Sequence, residues 1–382
     1  MVTAPGGFLR LTQVPEPRIP SPSWVRVRPS LSGICGSDLA TISGKISIYL
    51  SAFTSFPFVP GHEVVGHVIE TGANVSRVDV GDRVVLEPAL GCSVRGLPDL
   101  CRPCQDGYYA TCERVTEGDI AAGIQTGYCR DTGGGWGPEL VAHENQLHRV
   151  PDDVSNEAAV LTEPLSCAIH GVIEASIPER ARVLVVGGGT IGLLTIAALR
   201  VISPSCTIVA IAKYPHQMEL ARTLGADHVV GSGNDGQQQL ADLSGGARYP
   251  LPLGNPAVQG GFEVSIECSG SASGMEDALR WTRSQGQLVI IGMPVVSNVD
   301  LTPLWYQELR VYGAYAYSLE SNGKDRVKTF SLALDILSED GWGDRLAALV
   351  RHRFQLKQHR SAFATAMRPG RSGAVKTVFD FT

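Results

Sequence analysis

The first part of the chain alternates apolar and polar residues in short runs. Residues 24–28 and 63–68 show this two-residue period, and Pro and Gly separate such runs up to about residue 160. A period of two places successive side chains on opposite faces of a strand, and Pro and Gly mark turns. The pattern therefore predicts an antiparallel β domain.

From Arg182 onward, continuous apolar runs alternate with segments of helical spacing. Strands that alternate with helices predict a parallel sheet built from right-handed crossovers. Residues 231–261 are rich in Gly, Gln, Asn and Pro, and we expect an irregular surface excursion there. We predict strands at 183–186, 207–211, 229–230, 263–267, 287–291, 311–317 and 375–379, and helices near 191–201, 217–224 and 326–337.

Length and composition limit the possible partners. The chain has 382 residues, of which 43% are hydrophobic, and this suffices for about two domains with buried cores. Its formal charge is −6 and it has no long basic run. Nucleic-acid binding depends on clustered Lys and Arg. We therefore expect a small-molecule partner and no nucleic acid.

The sequence predicts a cytoplasmic protein with no membrane association. No charged start followed by an apolar block precedes residue 17, so no secretory signal is predicted. The longest uncharged stretch, 183–199, is shorter than the ~20 residues that span a bilayer. In a reducing compartment, nine cysteines indicate metal binding rather than a disulfide framework.

Four of these cysteines lie close together in sequence: Cys92, Cys101, Cys104 and Cys112. Four thiolates can complete a tetrahedral zinc shell, so this lobe is a candidate structural zinc site. The eight residues between Cys92 and Cys101 are an unusually wide spacing. The alternative is a set of reduced loop cysteines without metal.

A second candidate metal set is scattered: Cys35, His62 with the adjacent Glu63, and Glu163. Thiolate, imidazole and carboxylate together suit a catalytic zinc with one exchangeable position. These residues lie in distant loops, so their convergence is a hypothesis at this point.

The segment Gly187 to Gly192 fits the pattern G-x-G-x-x-G between a predicted strand and a predicted helix. In that context backbone N–H groups and the helix N-terminus hold a pyrophosphate. A packing turn and the related methyl-donor fold are the alternatives. The proposed cofactor contacts here are Gly187, Gly189, Thr190, Ile191 and Gly192.

The end of the second parallel strand favours NADP over NAD. An NAD site normally has a carboxylate there for the ribose 2′-OH, but this strand ends in Ala212, Lys213 and Tyr214, and no Asp or Glu occurs between Gly192 and Glu219. Lys213 would attract a 2′-phosphate. Alternatively, Lys213 simply points into solvent.

Together these motifs resemble the zinc-containing medium-chain alcohol dehydrogenase family, in particular its sorbitol and threonine dehydrogenase-like branch. The resemblance covers nearly the whole chain. It rests on Gly33-Ile34-Cys35-Gly36-Ser37-Asp38, Pro60-Gly61-His62-Glu63, Gly81-Asp82-Arg83-Val84, the four cysteines, Glu163-Pro164-Leu165-Ser166, the glycine turn and Leu224-Gly225-Ala226-Asp227.

The resemblance implies an α/β fold with a GroES-like β-barrel catalytic domain and a Rossmann coenzyme domain with a doubly wound parallel sheet. The catalytic domain would span 1–163 and be completed by 317–382, with the coenzyme domain at 164–316. The family forms dimers or tetramers, so a homodimer or homotetramer is expected.

The resemblance also assigns roles to the site residues. Cys35 and His62 would bind the catalytic zinc, with Glu63 and Glu163 as ligands or immediate neighbours. Asp38 would orient His62 through the second ring nitrogen. Ser37 would receive the proton of the substrate alcohol. Lys376 would reach the cofactor phosphates.

The implied activity is hydride transfer between NADP(H) and an alcohol, ketone or aldehyde, with zinc polarising the substrate oxygen. Reduction of an activated C=C bond and non-catalytic NADPH binding are the alternatives. Two features depart from the family. Leu39-Ala40 replaces a segment in which relatives carry a proton-relay His, and the aromatic loop 46–58 is either a packed surface loop or a lid over a bulky substrate.

Overall fold

A computed structural model describes residues 2–3, 9–322, 325–339 and 341–382. The chain folds into two compact units. Unit 1 comprises Met1–Ser166 and Tyr317–Thr382, and unit 2 comprises Cys167–Ala316. Among the described helices, none combines the length and the apolar character needed to cross a lipid bilayer.

The main sheet of unit 1 is largely antiparallel, as the alternating pattern predicts. Its path is β18-β19-β3-β4-β5-β7, with β6 paired to β3, and among the described strands of this sheet only β18 and β19 are parallel. The strands of unit 1 are β1 Val2–Thr3, β2 Leu9–Arg10, β3 Trp24–Gly33, β4 Val64–Thr71, β5 Arg83–Leu86, β6 Leu140–His143, β7 Leu147–Arg149, β16 Leu319–Asn322, β17 Asp325–Lys328, β18 Val350–Phe354 and β19 Lys376–Asp380.

Buried valines and leucines from β3, β4 and β5 form a core cluster of this sheet. The helices of the N-terminal part are α1 Gly36–Ile42, α2 Arg102–Asp106, α3 Asn156–Ala159 and α4 Thr162–Glu174, of which α4 continues past the boundary at Ser166. The C-terminal helices are α10 Thr329–Ser338, α11 Trp342–Ala347, α12 His359–Ala366 and α13 Pro369–Ser372.

Unit 2 has a six-stranded parallel sheet in the order β10-β9-β8-β13-β14-β15. This is the 3-2-1-4-5-6 order of the doubly wound dinucleotide-binding fold. The strands of unit 2 are β8 Arg182–Val186, β9 Thr207–Ile211, β10 His228–Val230, β11 Ala247–Tyr249, β12 Ala257–Gln259, β13 Phe262–Glu267, β14 Thr282–Ile290 and β15 Arg310–Gly313. Its helices are α5 Thr190–Ile202, α6 Pro215–Thr223, α7 Asn234–Ser244, α8 Ala272–Trp281 and α9 Thr302–Tyr306.

The strand predicted at 311–317 is β15, which ends at Gly313. Two other predicted segments also differ from the structure. The expected irregular excursion at 231–261 contains helix α7 and the β11–β12 hairpin, because the buried Leu240 and Ala241 anchor a helix that is otherwise polar. The helix predicted from residue 326 begins at Thr329, because β17 pairs with β16 before it. Tertiary contacts outweigh local composition in both cases.

A buried ionic cluster joins the two parts of unit 1. The Glu87 carboxylate follows β5 and lies 2.8 Å from Lys328 Nζ and 2.5 Å from His148 Nε2. Burial alone would raise the pKa of Glu87, but Lys328 and His148 outweigh burial and lower this pKa to about 2. The ionised carboxylate therefore stabilises the docking of the C-terminal segment.

Replacing this carboxylate should destabilise the fold. We expect Glu87→Gln to lower the free energy of unfolding by about 3 kcal/mol at pH 7, because it leaves a largely buried cation without its partner. The pKa of Glu87 is lower in the folded chain than in the unfolded chain. Its contribution is therefore complete above pH ~5 and is lost as the pH falls towards 2.

Urea unfolding measures both effects. The matched control is Glu117→Gln, which removes an exposed partner of Arg114 and should change the free energy of unfolding by less than about 0.5 kcal/mol. Equal stabilities of the two variants at pH 7, or a gap that does not shrink between pH 5 and pH 3, would contradict this role of Glu87.

Candidate metal and cofactor sites

The N-terminus of α1 places the first candidate metal ligand. Cys35 is the N-cap residue of this helix, and Asp38 at the third helical position accepts a hydrogen bond from the Cys35 backbone N–H at 2.9 Å. This capping interaction turns the Asp38 carboxylate back towards Cys35. Asp38 is buried, so a local helix-start signal fixes a charged group inside unit 1.

The structure brings His62 to the same place. His62 Nδ1 lies 3.6 Å from Asp38 Oδ1, and both atoms are buried without a hydrogen-bond partner among the described residues. Because Nδ1 faces the carboxylate, Nε2 is the nitrogen left to bind a metal. This is the arrangement in which a carboxylate orients a metal-binding imidazole.

Glu63 lies beside these residues, but a buried lysine holds its carboxylate. Lys376 Nζ in β19 donates to Glu63 Oε1 at 2.5 Å and to Oε2 at 2.6 Å. Gly33 makes this possible, because a Cβ atom at position 33 would lie 1.7 Å from Glu63 Oε2. Both members of the pair are nearly inaccessible to solvent.

Lys376 therefore has contacts that differ from the expected ones. The resemblance assigned it to the cofactor phosphates, whereas its ammonium group lies inside unit 1, on Glu63 and within 3.5 Å of the Ile34 carbonyl oxygen. The physical reason is the cost of leaving the buried Glu63 carboxylate without a counterion. The residues before Lys376, Ala374 and Val375, are hydrophobic, and they do not indicate that Lys376 pairs with Glu63.

Cys35, His62 and Glu63 offer ligand atoms that all lie within 4.8 Å of one another. Glu163 is buried close enough to act electrostatically on His62 and Lys376, but it is not part of that group among the described residues. A thiolate, an imidazole and nearby carboxylates at this spacing suit zinc. The residues present therefore fit a catalytic zinc ion.

The charges around His62 favour a cation at this point. Burial would lower the pKa of His62, but Asp38, Cys35 and Glu163 outweigh burial and raise that pKa well above its ordinary value. The same concentration of negative charge would stabilise a bound metal ion, which replaces the imidazole proton.

Sequence reasoning missed two aromatic residues of this site. The Tyr128 ring lies 6.0 Å from the His62 ring and 5.1 Å from the Phe58 ring, measured between centroids. Trp136 Nε1 donates to the Gly33 carbonyl oxygen at 3.1 Å. Both come from a loop whose only local signal is its density of glycines and aromatic residues.

The four cysteines of the lobe also converge. Their sulfur atoms lie within 4.8 Å of one another, with 3.5 Å between Cys92 and Cys112 and 3.8 Å between Cys101 and Cys112. Zinc–sulfur bonds of ~2.3 Å in a tetrahedron place sulfurs ~3.8 Å apart. The wide spacing after Cys92 therefore does not prevent convergence, and the four sulfurs fit a structural zinc ion.

A fully buried arginine supports the lobe. Arg95 donates to the backbone carbonyl groups of Glu117, Ile120, Ala121 and Gly123. The guanidinium group thereby supplies hydrogen bonds to loop carbonyl groups that would otherwise be buried without partners. Arg95 thus holds together the polypeptide that carries Cys92 and Cys112.

In unit 2, the glycine turn has the geometry of a pyrophosphate site. Gly189 is the N-cap of α5, so the first backbone N–H groups of this helix face the turn. A Cβ atom at Gly192 would lie 1.8 Å from the Gly187 carbonyl oxygen, so only glycine permits this close turn. Thr190 and Ile191 open the helix. The turn fits a dinucleotide.

The residues at the end of β9 lie next to the glycine turn. Ala212 is buried, and a Cβ atom at Gly188 would lie 2.8 Å from the Ala212 Cβ, so this position faces the glycine turn. Lys213 is exposed, with its Nζ 5.6 Å from the centre of the Tyr214 ring. Among the described residues that directly follow β9, Ala212, Lys213 and Tyr214, none carries a carboxylate.

Two families of protein domains match the chain. The alcohol dehydrogenase GroES-like domain matches residues 21–152, and the zinc-binding dehydrogenase domain matches residues 190–339. A solved structure of a zinc-binding dehydrogenase from Sinorhizobium meliloti bound to NADP superposes with a TM-score of 0.71 at 24% identity, covering 97% of this chain and 95% of that one. This similarity confirms the predicted fold.

Three curated relatives match over most of their length. They are the L-idonate 5-dehydrogenase of Vitis vinifera (29% identical, 94% of this chain and 88% of the relative), the sorbitol dehydrogenase of Arabidopsis thaliana (30%, 94% and 89%) and the L-threonine 3-dehydrogenase of Rhizobium johnstonii (28%, 96% and 94%). The chain therefore belongs to the zinc-containing medium-chain alcohol dehydrogenase family, in its sorbitol and threonine dehydrogenase-like branch, and is an oxidoreductase.

Proposed function

We propose that this enzyme transfers a hydride between NADP(H) and a small alcohol or its carbonyl counterpart at a zinc ion held by Cys35 and His62. The observation that carries the proposal is the convergence of Cys35, His62 and Glu63 ligand atoms within 4.8 Å, with Asp38 behind the imidazole. A packed core has no physical need for this concentration of buried charge.

The zinc ion, the nicotinamide and the residues around them would have separate roles in the reaction. Zinc, when bound, would supply Lewis-acid polarisation of the substrate oxygen, and the nicotinamide would carry the hydride. Asp38, 3.6 Å from His62 Nδ1, would orient the imidazole, and Lys376 neutralises Glu63. The half-buried Ser37 hydroxyl would receive the substrate proton. Glu163 adds negative charge beside the metal position.

The preference for NADP rests on charge at the end of β9. The buried Ala212 offers no acceptor for a 2′-OH, and the exposed Lys213 offers a cation for a 2′-phosphate. Tyr214 stacks on His216 with ring planes 5° apart, which adds a flat surface beside that cation.

The proposed substrates are secondary alcohols of the polyol type and the matching ketones. Relatives whose names specify sorbitol, L-idonate and L-threonine all act on a carbon that bears a hydroxyl group. Oxidation of NADPH with a panel of small hydroxyketones, compared with NADH, tests this proposal. The cytoplasmic location and the homo-oligomeric state stay predictions.

Removing the thiolate of Cys35 should remove the catalytic metal. We expect Cys35→Ala to lose one of two zinc ions per chain by elemental analysis and to lower turnover at least ~10³-fold, because metal polarisation supplies several kcal/mol of transition-state stabilisation. NADPH affinity, measured by fluorescence titration, should not change.

Cys206→Ala is the matched control, because Cys206 is a buried thiol that belongs to neither of the two candidate zinc sites. It should keep both zinc ions and full turnover. Retained turnover in Cys35→Ala would exclude this metal position from the reaction, and one zinc ion in the wild type would mean that one of the two sites does not hold metal.

A carboxylate at position 212 should reverse the cofactor preference. We expect Ala212→Asp to weaken NADPH binding at least ~10-fold and to strengthen NADH binding, because the charge repels a 2′-phosphate and accepts from a 2′-OH. Dissociation constants of both cofactors measure the change. Ala212→Asn, of the same size without the charge, should weaken NADPH much less; equal losses in the two variants would mean that steric crowding is responsible.

A further inference from the structure

The side chain of Phe53 attaches the aromatic loop 46–58 to the cysteine lobe. It packs against a buried cluster of lobe residues, which are Cys92, Cys112 and Val115. An aromatic ring removes a large apolar area from water when it packs in this way. Because two residues of the cluster are candidate zinc ligands, the position of Phe53 depends on the arrangement of the lobe.

The next residue, Thr54, attaches the backbone of the loop to the same lobe. Thr54 forms an antiparallel bridge with Gly123, whose N–H donates to the Val115 carbonyl oxygen at 3.0 Å. Arg95, which holds the lobe together, donates to the Gly123 carbonyl oxygen at 3.3 Å. A side chain and a stretch of backbone thus bind the loop to the lobe at two successive residues.

The end of the loop contacts the candidate catalytic site. The Ser55 hydroxyl oxygen accepts a hydrogen bond from the Arg130 backbone N–H at 3.0 Å, and the Phe58 ring packs on the Tyr128 ring. The Tyr128 ring in turn lies beside the His62 ring. This end of the loop therefore packs on a residue that neighbours a candidate zinc ligand.

The two halves of the loop differ in burial. Ile48 and Tyr49 are 87% and 73% exposed, whereas Phe58 is 2% exposed. Residues 53–58, the bridging segment, are held by the lobe at one end and by Tyr128 at the other. Close-packed contacts are nearly incompressible and transmit strain. A displacement at the lobe would therefore reach the rings beside His62.

We propose that the cysteine lobe positions the candidate catalytic site through the bridging segment, and that Phe53 is the positioning residue of this connection. The inference rests on the proposed function and deepens it, since it gives the candidate structural zinc an effect on turnover. Zinc in the lobe would hold Cys92 and Cys112 together and so preserve the surface on which Phe53 packs. Without that surface, Phe58 would lose its fixed position beside Tyr128.

Phe53→Ala tests the proposal and leaves every candidate zinc ligand in place. In the zinc-loaded enzyme, we expect kcat/KM for an alcohol that the wild type oxidises to fall at least ~5-fold, because small misplacements near the reacting atoms are costly. The content of two zinc ions and the NADPH affinity should equal those of the wild type. Phe53→Leu, which keeps an apolar side chain on the lobe, should restore most of the rate.

Leu97→Ala is the matched control. Leu97 also packs against the buried cluster of the lobe, but it lies outside loop 46–58. Because zinc holds the cysteines in this variant, the surface under Phe53 stays in place, and kcat/KM should change less than about twofold. A loss as large as that of Phe53→Ala would overturn the role of Phe53, since loosening of the lobe in general would then lower the rate.

Hydrogen exchange follows the connection without substrate. We expect exchange of the backbone N–H groups at 54–58 to quicken at least ~10-fold in Phe53→Ala, because the segment has lost one of its two attachments. Removal of the lobe zinc from the wild type by a chelator should have the same effect, and removal from Phe53→Ala should add less than about twofold. Additive effects would contradict the connection.

The zinc affinity of the lobe gives a reciprocal readout. If lobe zinc stabilises the packed position of Phe53, packing of Phe53 must stabilise lobe zinc by the same free energy. We therefore expect Phe53→Ala to bind lobe zinc at least ~3-fold more weakly than the wild type in a competition titration with a chelator. Equal affinities would overturn the inference.

The outcomes distinguish this inference from the function on which it rests. Absence of turnover in the zinc-loaded wild type would overturn the proposed function and this inference with it. Unchanged kcat/KM and unchanged hydrogen exchange in Phe53→Ala would overturn the role of Phe53 alone. A wild-type lobe that binds no zinc would likewise overturn the inference and leave the proposed activity in place.

Discussion

The buried ion pair of Glu63 and Lys376 is the interaction on which the metal-binding part of unit 1 depends. Glu63 follows the candidate ligand His62, and Lys376 begins the last strand of the chain. Neither charge reaches solvent, so each would be costly without the other. The pair therefore docks β19 against β3 and fixes the segment that carries His62, next to the Ile34 carbonyl group and Cys35. The unit has to be completed by residues from both ends of the sequence.

Local rules assemble the rest of the site around that pair. Asp38 reaches His62 because it occupies the third position of a capping interaction, and Gly33 leaves room for the Glu63 carboxylate. On α1, Thr41 Oγ1 donates to the Ser37 carbonyl oxygen and lies 3.1 Å from the Tyr128 phenol oxygen. In unit 2, close approach at Gly192 and a residue without charge at position 212 shape the candidate cofactor site by the same kind of short-range constraint.

This division explains which features the sequence could predict. The strand at 207–211 and the parallel sheet of unit 2 follow from apolar runs that alternate with helical segments, and the structure confirms them. The motif that contains Cys35 and the group of four cysteines can both be recognised in the sequence, because residue type and spacing indicate metal binding. The partner of Glu63 and the position of Tyr128 depend on contacts between residues far apart in sequence, for which a single sequence has no signal. Helix α7 was missed because two buried side chains, rather than its polar composition, stabilise it.

The free energies of unfolding of Glu63→Gln, Lys376→Met and the double variant test the central claim most directly. A buried pair that acts as one unit predicts a loss of about 3–5 kcal/mol for Lys376→Met, and a double variant that is more stable than this single variant, because no unpaired charge remains. Losses in the double variant equal to the sum of the two single losses would contradict the account, since Glu63 and Lys376 would then contribute independently.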